Sequence, residues 1–63
     1  THQVAYLRAV CYARLDDLAG VLENLKYACD EEPLIYKPKA VIDIEFRKYW
    51  DNPDFKEIVK KYE

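Results

Sequence analysis

The side chains able to carry out chemistry are few and lie far apart along the chain. His2 is the only histidine, and it sits at the very start. Two cysteines follow, Cys11 and Cys29, with seventeen residues between them. A nucleophile needs a base within hydrogen-bond reach, and no Ser-His-Asp or Cys-His arrangement can be assembled from this set. A structural zinc site takes four ligands, so two thiols and one imidazole fall one short, at a spacing that is not a zinc pattern. The acidic runs Asp16-Asp17 and Asp30-Glu31-Glu32 lack the alternating ligands and the turn glycine of a calcium loop. They read as solvated turn and helix-end residues, as do Asp43 and Glu45. The expectation is a chain without catalysis, cofactor or metal. Cys11 and Cys29 both fall in apolar helical patterns and are expected to be buried free thiols, which suits a reducing compartment such as the cytoplasm.

The totals bound the partners. Ten basic and twelve acidic residues give a net charge of −2 over 63 residues, with no basic excess to pull on phosphates. No segment reaches the ~18 consecutive apolar residues that would span a bilayer, and no signal-peptide pattern opens the chain. Hydrophobic residues make up 51% and aromatic residues 14%. That is more than a chain of this length can hide, since ~60-residue domains bury only about 60% of their unfolded surface. Surplus apolar surface marks a contact site. The lack of any methionine is what a piece of a longer protein would show.

Four helical segments are expected. Residues 3–15 are apolar on nearly all sides, interrupted only by Gln3, Arg8 and Arg14, so this helix should be packed on more than one side. Asp16 and Asp17 form a turn and cap. Residues 18–29 place Leu18, Val21, Leu22, Leu25, Ala28 and Cys29 at helical spacing. Gly20 costs this helix about 1 kcal/mol relative to alanine, and close approach of a neighbouring backbone would account for it. Pro33 stops the helix, residues 34–37 connect, and Pro38 opens a third helix over residues 39–50 with Ile42, Phe46, Tyr49 and Trp50 on one stripe. Val41 and Ile44 leave room for a short extended stretch near residues 40–44. Asn52 and Pro53 then start a last helix with Phe55, Ile58, Val59 and Tyr62 at i, i+3, i+4, i+7. Most aromatics read as core, with Tyr6 and Tyr36 the ones expected at the surface.

Helix, acidic turn, helix and proline resemble a tetratricopeptide repeat, a unit of about 34 residues. Residues 6–33 carry the likeness: Ala9 at the small position, Tyr12 at the large aromatic, Asp16-Asp17 where the family has Gly-Asp, Leu25 and Ala28 as the packing pair, and Pro33 at the close. Glu45-Phe46, Asp51-Asn52-Pro53-Asp54-Phe55 and Ile58-Val59 resemble the tail of bacterial "end-of-group" repeat proteins. Val21, Ala5 and Asp16 depart from the family pattern and bear on the helix crossing. The resemblance implies an all-α fold, a fragment of an α-α superhelix. Residues 1–33 would form an antiparallel helix pair and residues 34–63 two shorter capping helices. It implies a scaffold that binds a protein or peptide and stacks on preceding repeats of the same chain. Gln3, Tyr6, Val10, Ala13 and Arg14 would line the partner-binding face. Phe46, Trp50, Phe55 and Val59 would cover the open end.

Two other readings compete. Arg47, Lys48, Lys56, Lys60 and Lys61 would suit a small helix-turn-helix nucleic-acid-binding domain, but Asp43, Glu45, Asp51, Asp54, Glu57 and Glu63 are interleaved with them. The apolar first helix would also suit an oligomerisation module that docks on a second copy. The reading preferred from the sequence is a non-catalytic protein-binding repeat without nucleic acid or membrane, with self-association open.

Overall fold

A computed structural model describes residues 1–61. Those residues form helices only: α1 (His2–Arg14), α2 (Leu18–Glu31), α3 (Pro33–Ala40), a 3₁₀ helix (Ile44–Tyr49) and α4 (Pro53–Val59). Tyr62 of the expected last stripe, and Glu63, lie outside the described residues.

The α1–α2 pair is built on small residues. Ala5, Ala9 and Ala13 recur every four positions on α1 and are buried, Ala9 completely. Val21, Leu25, Ala28 and Cys29 of α2 are likewise fully buried. Alanines on one helix let the larger side chains of the other interdigitate at close axial distance. The turn between the two is a Schellman motif, in which the Asp17 N–H donates to Tyr12 O (2.9 Å) and the Asp16 N–H to Ala13 O (3.1 Å). Asp16 occupies the left-handed residue of that motif, with φ 57°. Glycine is the usual occupant because it has no Cβ to clash, and aspartate is among the few others that tolerate the position. Asp17 then caps α2, its carboxylate accepting the Gly20 N–H at 3.0 Å.

Gly20 has a different reason from the expected one. A Cβ there would lie 2.4 Å from the Tyr12 ring. What presses on the glycine is a side chain of α1, and the ring lies flat over the bare backbone of α2.

The second half departs from the expected element order. Residues 34–37, expected as a connector, belong to α3, and Pro38 sits in its last turn, not at a helix start. Glu32 joins α2 to α3 directly: its N–H donates to Ala28 O while its own carbonyl accepts from Tyr36 N. Pro33 forces Glu32 out of helical geometry (φ −138°, ψ 71°), which is what turns the chain. α3 ends at Ala40, just past Pro38, whose missing N–H cannot extend the ladder. The expected helix over residues 39–50 therefore splits. Val41 to Asp43 form a corner, and Asp43 caps a 3₁₀ helix by accepting the Glu45 N–H at 3.1 Å. The two expected capping helices are thus three. α4 follows its signals: Asn52 Oδ1 accepts from Asp54 N (2.9 Å) and Phe55 N (3.1 Å), with Pro53 first in the helix.

Three short helices lie across the pair, the 3₁₀ helix against α1 and α4 against α2. Phe46 and Phe55 are the largest fully buried side chains. Their rings meet at 5.8 Å, Phe46 meets Tyr6 edge-on at 5.6 Å, and Tyr6 stacks on Tyr36 at 5.1 Å. This aromatic spine joins α1, α3, the 3₁₀ helix and α4. The shortest dimension of the fold is 17 Å, less than two full helix diameters of ~10–12 Å each. One shared layer of side chains is all the interior there is, and each helix keeps a face in solvent.

Candidate functional site

α1 has three flanks, and they differ in fate. Alanines at 5, 9 and 13 face α2. The next flank carries Tyr6, Val10 and Arg14, three of the five residues that the repeat resemblance assigns to a partner, while a fourth, Ala13, faces α2. Tyr6 is 4% exposed, Ala13 is buried and Val10 is half-buried. Arg14 is exposed, but its guanidinium donates to both Glu45 oxygens (3.0 and 2.6 Å). Gln3 alone is both exposed and unengaged among the five. The chain's own segment 36–46 occupies the flank expected to receive a partner.

Three polar latches hold that segment and the 3₁₀ helix that continues it. The Tyr6 hydroxyl donates to Asp43 Oδ2 at 2.6 Å, the Tyr49 hydroxyl to Asp16 Oδ1 at 2.8 Å, and Arg14 pairs with Glu45. The 3₁₀ helix is therefore pinned near both ends. Burial and then the Asp43 hydrogen bond hold the Tyr6 proton far above the usual phenol range. Tyr49 donation, followed by Lys48 at 3.2 Å, keeps Asp16 below the ordinary carboxylate value. Tyr6 and Tyr36, expected at the surface, are buried at 4% and 6% because they stack on each other beneath this segment. No feature of sequence spacing marks the Tyr–Asp pairs, which lie 37 and 33 residues apart.

The third flank of α1 is open. Val4 (44% exposed), Leu7 (64%), Cys11 and Leu15 (75%) stand at intervals of three, four and four, opposite the core. An α-helix advances 100° per residue, so these four share one face, a row ~16 Å long. Cys11, expected to be buried, belongs to this row. Its neighbour in type, Cys29, is buried, and burial pushes its thiol up to about 11. Cys29 therefore keeps its proton at neutral pH and is no nucleophile. The expected packing of α1 on more than one side holds for α2 and the 3₁₀ helix, and stops at this row.

Beside the row, a groove of about 520 Å³ runs between α1 and α2, lined by Arg8, Tyr12, Glu23, Asn24 and Tyr27 among others. Further exposed aliphatic side chains lie on α3, the corner after it and the start of the 3₁₀ helix: Leu34, Ile35, Val41, Ile42 and Ile44. Ile42 and Ile44 flank Asp43, so the latch to Tyr6 brings that corner alongside the middle of α1.

Charge divides in the same way as exposed apolar surface. Residues 1–15 and 33–49 carry Arg8, Arg14, Lys37, Lys39, Arg47 and Lys48 against only Asp43 and Glu45, a balance of +4. The remaining described residues carry Lys26, Lys56, Lys60 and Lys61 against nine carboxylates, a balance of −5. Eight of the nine large exposed hydrophobics fall in the positive portion, Tyr27 being the exception. The near-neutral total hides this partition, and it becomes visible only once the exposed side chains are known.

Among the described residues no group of three or more His, Cys, Asp and Glu side chains stands together as a metal site would. His2 lies 5.8 Å from the Tyr36 ring. Among the described residues no helix is long and apolar enough to cross a membrane. No family model matches the chain, and neither does any curated protein or solved structure.

Proposed function

We propose that the chain is a non-catalytic protein-interaction module: a tetratricopeptide-like helix pair, sealed on one side by its own C-terminal helices, that offers the outer flank of α1 to a protein partner. One observation carries this reading, the exposed row Val4, Leu7, Cys11 and Leu15 opposite the core of α1. Rows of this kind serve as helix-in-groove or helix-on-helix contacts, read by partners at i, i+3, i+4 and i+7. The residues first assigned to a partner contribute less, since Tyr6 and Arg14 are engaged by segment 36–46 and Ala13 is buried. An upstream helical unit of the same chain would be one protein surface able to meet this row.

The test is an amide-shift titration of the isotopically labelled chain with a helical peptide of about 20 residues. The peptide carries a leucine row with uncharged glutamine flanks. Shifts clustered on residues 4–15, lost when Leu7 and Leu15 are both replaced by glutamine, support the reading. An unmoved α1 at millimolar peptide, or shifts confined to α2 and α4, would refute it.

A further inference from the structure

Resting on that reading, we infer that the protein meeting the outer row of α1 is a second copy of this chain, bound antiparallel, row to row, in a weak two-fold dimer. The row is nearly symmetric about its own middle. Val4 and Leu15 are centred on position 9.5, and Leu7 and Cys11 on position 9. Turning a second copy end for end about that point sets Val4 against the second copy's Leu15, and Leu7 against its Cys11. Each contact then joins a larger side chain to a smaller one, the alternation by which facing helices interdigitate. A parallel copy would set leucine against leucine and Cys11 against Cys11, with excess bulk at some levels and gaps at others.

The border of the row points to the same occupant. At 100° per residue, Arg8 lies about 60° to one side of the row and Arg14 about 60° to the other. On Arg8's side, Glu23 of α2 lines the same groove, and neither residue has an ion-pair partner among the described residues. On the latch side Arg14 is paired with Glu45, and Lys48 with Asp16. Both signs therefore stand on both sides of the row, because Asp16 and Glu23 enter the border from the turn and from α2. A polyanion, an anionic lipid surface or a strongly acidic peptide meets carboxylates there as well as cations, and gains little from its charge. A two-fold axis across the row keeps groove side beside groove side. Arg8 and Glu23 of the two copies then share one border, two cations with two carboxylates, and the surface complements itself.

The extent of the row sets the strength. It is ~16 Å long and one helix, ~10–12 Å, wide. Even with Ile44, which shares a cleft with Arg14 on the latch side, it falls short of the about 800 Å² per partner that a standard interface buries. The dimer is therefore a weak one, with a dissociation constant on the order of 0.1–1 mM. At the micromolar concentrations of an unfolding curve the chain is monomeric and the row stays open.

Sedimentation equilibrium under reducing conditions tests the association. The chain should be a monomer at about 10 µM and mostly dimer at about 2 mM. Leu7→Gln with Leu15→Gln should stay monomeric throughout, with folding checked by circular dichroism. Oxidative cross-linking at about 1 mM, in a Cys11→Ser background, tests the orientation. Val4→Cys and Leu15→Cys are made in separate chains and mixed. Antiparallel pairing brings the two new thiols together, while like thiols stay ~16 Å apart along the axis, beyond the ~7 Å that a disulfide spans between Cα atoms. The mixed dimer should therefore exceed each like dimer about tenfold or more. Like dimers in excess would overturn the antiparallel arrangement. A dimer that survives both glutamine substitutions would move the contact to another face and overturn the inference. A monomer at about 2 mM would also overturn it. If the leucine-row peptide still shifts residues 4–15 of that monomer, the protein-binding reading stands without a second copy; if it shifts nothing, both fall.

Discussion

Phe46 and Leu7 are both large apolar residues; Leu7 stands on α1 and Phe46 on the 3₁₀ helix that packs against it. Phe46 is fully buried, while Leu7 is 64% exposed. Hydrophobicity does not separate them, since a leucine gains as much from burial as its area allows. The difference lies in what surrounds them. Phe46 sits on a segment held by two Tyr–Asp hydrogen bonds and one bidentate ion pair, reached through a chain reversal at Glu32-Pro33. Leu7 and its row face outward from a slab 17 Å thick, and no element among the described residues folds over them. In a chain this small, polar latches decide which apolar flank is closed, and the flank without latches is left for something else.

The strongest way to break this contrast is to empty the closed side. Phe55→Ala or Phe46→Ala removes a fully buried ring, which costs about 3–5 kcal/mol in cores of this kind. A 63-residue domain has about 3–9 kcal/mol in total at typical stability per residue. Either variant should therefore be largely unfolded or melt far below the parent in thermal denaturation. A melting point within a few degrees of the parent would remove the lid from its assigned role.

A smaller effect is expected from the latches themselves. Tyr6→Phe keeps the stack on Tyr36 and the edge contact with Phe46 but deletes the donor to Asp43. Hydrogen bonds to charged acceptors contribute about 1.5–3 kcal/mol. With Asp43 still bonded to the Glu45 N–H, the lower end of that range is expected in urea unfolding. No change would mean that the 3₁₀ helix is held by apolar contact alone.

Acid should loosen the same latches. Asp16 and Glu45 are both held below their ordinary values, 3.8 and 4.5, Asp16 first by Tyr49 and Glu45 first by Arg14. A lowered folded value means that the stabilisation is complete above the unfolded value and is lost as pH falls through the folded one. Unfolding midpoints should therefore drop below about pH 4, where carboxylates protonate. The double variant Asp16→Asn, Glu45→Gln should show a shallower drop. Equal slopes would place the acid sensitivity elsewhere.

The parts of this fold that are local in the chain were legible in the sequence. Asp17 before Leu18, and Asn52 before Pro53, announced helix starts that the structure keeps, because a cap is a contact between neighbours. The buried stripe of α2 followed its spacing. What escaped notice depends on contacts across the fold. Pro38 is compatible with a helix start or a last turn, and only the direct junction at Glu32 decided for the latter. Cys11 sits in an apolar run like Cys29, yet it faces out, because the core side of α1 is set by which alanines meet α2. Tyr6 and Tyr36 were placed wrongly for the same reason, thirty residues separating two rings that stack. The open row itself was visible as residue types, and its exposure was not.

The smallest expected effect is also the sharpest test of the contrast. Leu7→Gln and Leu15→Gln change two side chains that are 64% and 75% exposed and lie away from the buried cluster. If the outer row supplies nothing to the fold, each should shift stability by no more than about 0.5 kcal/mol, as surface substitutions do. Glutamine keeps helix propensity near that of leucine, so the substitution isolates the apolar surface. A loss of 2 kcal/mol or more in urea unfolding would show that the row is already used within the isolated chain, by self-association or by a rearranged lid. Concentration-dependent unfolding would then separate those two. A neutral outcome sets Leu7 against Phe46 as surface kept for contact against surface kept for folding.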